Sequence, residues 1–259
     1  MTHLKIATLN ANSIRVRLDQ ILDWMDREQA DVVCVQETKV QDKDFPREPI
    51  EEAGYHVAFA GKKAHAGVAT VSRTAPETVQ AGFDDGDERA RFLYTVIEGL
   101  HIANSYVPQG REPDHEEFQH KLDWFAQIKA WFDRHFTPQD PVLWLGDLNV
   151  ATEDIDVYDP QGLRGHVDFH PDAQAALEDV RQWGFVDLFR KHHPDEPNRF
   201  TYYDYRARNA IERNVGWRID HIWATKPLAE HCVDAWIDVE ARKANRPSDH
   251  TFLVAEFEF

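Results

Sequence analysis

The stretch VLWLGDLN at 142–149 places four apolar residues in a short strand, and Gly146 then turns the chain so that Asp147 and Asn149 follow at the strand's end. The same arrangement recurs outward in both directions. Residues 4–9 run into Asn10 and Asn12, 31–36 into Glu37, and 102–105 into Tyr106. Ile219 is followed by Asp220, and Ser248, Asp249 and His250 precede the last strand. Asn and Asp ordinarily end strands and cap turns, so any one of these has a plain structural explanation. Six such segments in one chain point further, because strand termini gather at one end of a sheet and binding residues commonly sit on the loops there.

Around these runs, β-rich segments alternate with amphipathic ones. Residues 55–60 and 67–72 suit a hairpin across a turn with Gly61, Lys62 and Lys63, and 92–97, 219–224, 235–239 and 251–257 read as further strands. Leu18, Ile21, Leu22 and Met25 fall at helical spacing, as do Phe118, Leu122, Phe125, Ile128 and Phe132. Another helix is predicted over 171–183, with Pro171 in its first turn and Gly184 as its stop. Strands outnumber helices and often lie too close for helical crossovers, so the sheets should be mixed or antiparallel. Nothing rich in Gly, Pro and Ser divides the chain, and 1–259 is expected to be a single α/β domain with helices outside two packed sheets.

The 259 residues, 42% of them hydrophobic, suffice for one large core and exclude wholesale disorder. No apolar run approaches the roughly 18 to 20 residues of a membrane span, so no membrane association is expected. The start of the chain lacks the pattern of an export signal, and Cys34 and Cys232 lie apart in apolar stretches, which suits buried thiols in a reducing, cytoplasmic setting. The formal net charge of −17 argues by itself against a polyanion as partner. Exposed acidic helix faces account for such an excess. A subset of carboxylates gathered in one place would also hold a divalent cation, which keeps metal-dependent phosphate chemistry open.

Hydrolysis of a phosphodiester needs a cation against the non-bridging oxygens, a base or orienter for the attacking water, and donors for the charge that builds up. Glu37 and Asp249 suit a hard cation such as Mg2+. Asp147 with Asn149 suits activation of a water. His250 suits donation to a phosphoryl oxygen, provided that a carboxylate such as Asp220 holds its ring. The residue types suffice for the reaction, although spacing alone does not bring them together.

The strings LNAN at 9–12, QET at 36–38, NSYVPQG at 104–110, GDLN at 146–149, YYDYR at 202–206, NVGWRID at 214–220 and PSDH at 247–250 resemble, in order and spacing, the successive signatures of the exonuclease III and AP endonuclease family. GDLN and PSDH are shared with the wider endonuclease/exonuclease/phosphatase superfamily, whereas YVPQG and NVGWRID are specific to its DNA-repair branch. The resemblance covers essentially the whole chain. It implies a four-layered α/β sandwich like that of deoxyribonuclease I. It also implies a Mg2+-dependent enzyme, with Mn2+ as substitute, that cuts duplex DNA 5′ to abasic sites and often carries 3′-to-5′ exonuclease and 3′-end-cleaning activity.

Position by position, the resemblance makes Glu37 the main metal ligand and Asp147 the residue that deprotonates or holds the nucleophilic water. Asn149 becomes orienter and transition-state donor, and Asn10 a hydrogen-bond donor to Asp147. Tyr106 becomes the phenol at the scissile phosphate, with Asp220 and His250 as the paired acid and imidazole. Asp249 matches a further metal or metal-water position. Asn12 stands where some members have Asp, and Gln109 where others have Asn, at a phosphate contact. The metal set is thus Glu37, Asp249, Asn12, Asp147 and Asn149. Tyr202, Trp217 and Ile219 fall where the family encloses a flipped-out sugar without its base.

Arg15, Arg17, Lys62, Lys63, Arg111, Arg206, Arg208, Arg213 and Arg218 lie in or beside the motif-bearing loops, so a basic rim on an acidic body is expected, with Arg15, Arg111 and Arg206 as DNA contacts. A separate zinc site at His166 and His170 or at His192 and His193 is conceivable, but Pro171 draws His170 away from a shared helical face. His166 and Asp168 lie where the family varies and where preference among abasic, mismatched and 3′-blocked ends is set. Two other readings are a superfamily phosphodiesterase for phosphoinositides or other small phosphodiesters, and a catalytically silent DNA-binding module. The abasic-pocket aromatics speak against the first, and the intact set Glu37, Asp147, Asn149 and His250 against the second. The chain is expected to act as a monomer on double-stranded DNA with abasic or blocked 3′ ends.

Overall fold

The structure, a computed structural model, describes residues 3–62, 66–86 and 88–259; Lys63, expected on the rim, lies outside the described residues. The first half contains β1 (His3–Asn10), α1 (Ile14–Glu28), β2 (Val32–Gln36), α2 (Arg47–Glu52), β3 (His56–Ala60), β4 (Val68–Ser72), β5 (Thr78–Ala81), β6 (Phe92–Ile97) and β7 (Leu100–Tyr106). There follow α3 (Glu116–His135), β8 (Val142–Asp147), α4 (Pro171–Arg181), β9 (Phe185–Asp187), α5 (Leu188–His192), β10 (Asp220–Thr225), α6 (Lys226–Ala229), β11 (Cys232–Asp238) and β12 (Phe252–Glu258). The short β5, β9, α2, α5 and α6 were not foreseen, because segments of this length carry too few positions to show a period.

The strands form two six-stranded sheets, ordered β11-β12-β1-β2-β4-β3 and β5-β6-β7-β8-β10-β9. Each has one parallel pair at its centre, β1 with β2 and β7 with β8, and antiparallel neighbours on both sides. The mixed sheets match the reading of close strand spacing. The two parallel pairs are joined by the long helices α1 and α3, as a parallel crossover requires.

Alternation along the strands explains the layers. Ile6, Val32, Cys34, Leu143, Leu145 and Leu253 belong to a core fed by strands of both sheets, while Ala7, Val33 and Val35 face α1 and Val142 and Trp144 face α3. Both faces of the central strands are therefore covered, and their sequences are mainly apolar, interrupted by buried polar residues such as Thr8, Gln36, Asn104 and Ser105. The result is helix, sheet, sheet, helix. α3 contributes Phe118, Trp124, Phe125, Ile128, Trp131 and Phe132 to this packing, and Lys121 is buried among them. Both cysteines are free and buried, and burial pushes the Cys34 thiol up to about 12. No helix among the described residues is long and apolar enough to cross a membrane.

Arg218 corrects the expected basic rim. Its guanidinium is fully buried and bonds Asp156 at 2.7 and 3.0 Å and Asp187 at 2.8 Å, with Arg190 as a second partner of Asp156. The NVGWRID string thus places an arginine beneath the site rather than at its edge. Burial works to raise the Asp156 carboxyl, but the Arg218 guanidinium outweighs it and holds the group at about 2. Arg218→Met leaves two buried carboxylates short of a partner and should cost on the order of 3 to 5 kcal/mol at pH 7 by denaturant unfolding. Because the Asp156 pKa is depressed, this contribution is complete above about pH 4 and fades as the pH falls towards 2. The gap between variant and wild type should therefore narrow at pH 2.5; a gap that persists undiminished would deny the pairing its role.

Candidate active site

Strand register gathers the chemistry at one end of the two sheets. Tyr106 lies opposite Asp147 across the parallel pair, and Asp147 opposite Asp220 across the antiparallel one. Asn10 ends β1 opposite Gln36, so Glu37 follows directly. Gly146 makes this register possible: a Cβ there would stand 2.0 Å from the Ser105 carbonyl oxygen, at a φ of +135°. Glu37 and Asn149 take left-handed backbone angles as their strands stop, with φ of 49° and 51°. Tyr202 bridges Trp217 on one side and His250 on the other, which brings the segment before β10 against the cluster.

Asp147 is buried, and its Oδ2 accepts from Asn10 Nδ2 at 2.8 Å while its Oδ1 accepts from the Asn149 backbone N–H at 3.0 Å. The Asn10 amide also donates to Glu37 Oε1 at 2.9 Å, and the Tyr106 hydroxyl donates to that oxygen at 2.8 Å. His250 Nδ1 bonds Asp220 Oδ2 at 2.8 Å, which leaves Nε2, 3.9 Å from Asp147 Oδ2, on the open side of the ring. The Asn149 amide donates to the Val107 carbonyl at 2.9 Å.

Burial raises the Asp147 carboxyl well above the usual range, and the nearby Asp220 carboxylate adds to it. Burial opposes charge on His250, but Asp220 overcomes it and pushes the imidazole up. For Glu37, burial is overcome by the Lys39 ammonium, 2.7 Å from Oε2, so the carboxyl stays below its ordinary value. Burial, with Glu37 and Asp147 close by, holds the Tyr106 phenol far above 10 and therefore protonated.

Four carboxylates, Glu37, Asp147, Asp220 and Asp249, converge here with Lys39 and His250 as the facing cations, so negative charge exceeds positive. The buried Asp220 Oδ1 accepts no hydrogen bond, and Asp147, Asp220 and His250 offer ligand atoms all within 4.8 Å of one another, a cluster that could hold a metal ion. On the other side Lys39 Nζ lies against both Glu37 Oε2 and Asn12 Oδ1, and Asn12 Nδ2 donates to Asp249 Oδ1 at 3.0 Å. Lys39 thus supplies a positive charge among these oxygens. The Asn12 carbonyl, expected as a ligand, is engaged by Lys39.

A cavity of about 350 Å³ joins this cluster to Tyr202, Trp217, Ile219 and Gln109. The Gln109 amide donates to Asp168 at 3.1 Å, and the His166 ring stands 4.8 Å from the Trp217 ring. Larger hollows of about 660 and 670 Å³ lie against α4 and α5 and beside Phe259, and hold none of the strand-end residues. Of the expected DNA contacts, Arg206 lines the cavity and is forked on Asp204, whereas Arg15 and Arg111 are exposed outside it, Arg15 bonded to the Asp44 carbonyl. The histidines of the conceivable zinc site have other tasks: His166 and His170 Nδ1 each accept a local backbone N–H.

Sequence reasoning missed Lys39 and Ser248, whose hydroxyl donates to the Asn10 carbonyl at 2.7 Å. Both stand in or next to quoted strings, Lys39 one residue past QET and Ser248 within PSDH, and a lysine two residues from the Glu37 carboxylate is a readable signal.

The profile of the Endonuclease/Exonuclease/phosphatase family matches residues 7–250. The chain belongs to that family, on its exonuclease III and AP endonuclease branch. It is similar to exodeoxyribonuclease III of Haemophilus influenzae, at 34% identity over 98% of this chain and 100% of that protein. An AP endonuclease from Archaeoglobus fulgidus superposes with a TM-score of 0.96 at 45% identity, covering 99% of this chain and 100% of the other. A 3′ phosphatase from Neisseria bound to a product DNA hairpin gives 0.92 at 31% identity, with coverage of 99% and 100%. These family relatives share the two-sheet architecture.

The Asp220–His250 contact sets the charge on the imidazole. Asp220→Asn should lower the His250 pKa by about 1 to 3 pH units, because burial then acts with less opposition. Imidazole NMR titration reads this directly, and an unmoved titration would mean that Asp220 does not govern the ring.

Proposed function

We propose that this chain is a Mg2+-dependent DNA-repair phosphodiesterase that cleaves duplex DNA on the 5′ side of abasic sites, with 3′-to-5′ exonuclease and 3′-end-cleaning activity at the same centre. Residues 1–259 would act as one catalytic unit, as a monomer, in the cytoplasm with the DNA. The observation that carries this reading is the cavity that joins the Asp147, Glu37 and His250 cluster to Tyr202, Trp217 and Ile219. The 45% identity to an AP endonuclease over 99% of the chain supports this substrate class.

In this reading Asp147 takes the proton of the attacking water, a task suited to a carboxyl raised towards neutrality. Asn149, with one amide hydrogen on the Val107 carbonyl, turns the other to water or phosphoryl oxygen. Tyr106 and His250 donate to the phosphoryl oxygens, Tyr106 by exchanging Glu37 for substrate and His250 through the Nε2 that Asp220 leaves free. Asn10 keeps Asp147 and Glu37 at a fixed separation by donating to both. Glu37 and Asp249 would hold Mg2+ or Mn2+, with Asn12, Asp147 and Asn149 as further oxygens. When bound, the ion supplies neutralisation of phosphoryl charge. Gln109 and Arg206 border the cavity, where a phosphate backbone would pass, with Arg15 and Arg111 on the surface beyond.

Cleavage with and without Mg2+ of four labelled duplexes tests the proposal: an internal abasic analogue, a recessed 3′ end, a 3′-phosphate and an internal deoxyuridine. Activity confined to small phosphodiesters would favour the superfamily alternative, and binding without cleavage the silent module. Glu37→Ala should sharply raise the Mg2+ concentration needed for half-maximal rate while circular dichroism stays unchanged, since a hard-oxygen ligand is lost. An unaltered Mg2+ dependence removes Glu37 from the ligand set.

Trp217→Ala should lower cleavage at the abasic analogue and raise relative activity on nucleotides that keep their base, because exclusion in a tight pocket is steric. Arg15→Ala should weaken all duplexes alike and reduce the salt dependence. Proportionate loss on every substrate in Trp217→Ala, together with lost thermal stability, would make Trp217 an ordinary packing residue.

A further inference from the structure

Lys121 lies in the apolar stripe of α3 with no solvent exposure. A buried ammonium must have its charge and its three N–H donors answered. Its Nζ is 2.6 Å from the Asn149 carbonyl oxygen, 3.0 Å from that of Val167, 3.2 Å from that of Gln109 and 3.2 Å from Asp168 Oδ1. These acceptors come from two connections: Gln109 from the one after β7, and Asn149, Val167 and Asp168 from the two ends of the one between β8 and α4. Asp168 Oδ2 reaches back to the first of these by accepting from Gln109 Nε2.

The lysine stem is held as closely as its head. A Cβ on Gly110, at a φ of +94°, would stand 3.3 Å from Lys121 Cδ and 3.0 Å from Val167 Cγ2, so the turn after Gln109 rests on the lysine itself. Asn149 is meanwhile fixed at every backbone polar group: its N–H on Asp147 Oδ1 and its carbonyl on Lys121. Neutralising one charge needs only Asp168. Three converging carbonyls are more than that task requires, and a compact ammonium is suited to collect them at a single point.

We propose that Lys121 is the positioning residue of the phosphodiesterase centre: its ammonium ties the loop after β7 to both ends of the β8–α4 connection and so sets Asn149 and Gln109 against Asp147, without itself reaching substrate. The proposal deepens the nuclease reading above and rests on it. Sequence gave a readable signal, a lysine at a position of α3 where the helical period calls for an apolar residue.

The test is Lys121→Met, measured by single-turnover cleavage of the abasic duplex, duplex affinity by anisotropy, and amide hydrogen exchange. A displacement of about 1 Å in a catalytic group costs on the order of 10² in rate, so the single-turnover rate should fall by about that factor while duplex Kd stays within about threefold. Peptides from residues 107–115, 147–151 and 160–170 should exchange faster, and those from β1 and β12 should not. Leu177→Ala, which opens the packing under α4 away from the site, should lose comparable thermal stability and keep its rate.

A rate in Lys121→Met within about threefold of wild type, or a loss matched by the same loss in Leu177→Ala, would overturn the proposal. Should Lys121→Met not fold, Lys121→Arg keeps the charge but offers a planar fork to carbonyls that converge on a point. Its rate should still fall by about tenfold or more, and full activity there would overturn the proposal equally. Wild-type protein inactive on every duplex would sink the nuclease reading, and the exchange pattern alone would then decide for or against the clamp.

Discussion

Burying the Asp147 carboxylate beside a second acid, Asp220, is the constraint around which the rest of the site is arranged. It is almost wholly buried at the edge of the cavity, so most of the compensation has to come from the chain. Asn10 and the Asn149 backbone N–H supply hydrogen bonds, and His250 supplies positive charge. Each of these stands within two residues of a strand's end, Asn10 at the end of β1, Asn149 just past β8 and His250 just before β12. None could be moved one residue along without turning to the opposite face of its sheet, which ties the local chemistry to the register of both sheets.

Much of this was legible in the sequence, for a physical reason. Strands buried on both faces are mainly apolar, so polar groups gathered at their ends stand out; that is why Asn10, Glu37, Tyr106, Asp147 and Asp220 could be picked from their positions. The long helices α1 and α3 showed their periods because they span enough turns. What failed was partnership. Nothing in a string tells whether an arginine faces solvent or a buried acid, and Arg218, charged and next to Trp217, was placed on the rim when it supports the loop from beneath. The contact of the Asn12 carbonyl with Lys39 was equally unreadable. The site's residue types were written in the chain, and its counter-charges were settled only by three-dimensional neighbours.

The acidic total also acquires a meaning. Four of the acids converge on the site, two more surround Arg218 inside the molecule, and many of the others are exposed. Arg15, Arg111 and Arg206 face outward at that same end or near it, against the general sign of the protein. Such a body repels nucleic acid except where a local patch and a shaped cavity act together, which would suit the proposed role at damaged DNA.

The two sheets carry the same sequence of strand directions, each with a helix-linked parallel pair at its centre, yet they are not built in the same order. The second sheet is made from strands that follow one another along the chain. The first is left open beside β1 until β12 has been made and slotted between β11 and β1. His250 and Asp249 travel with that late strand. During synthesis, then, a chain that has not yet reached β12 would hold the Asp147 half of the centre without its imidazole, and the cluster would come together in the same step that closes this sheet.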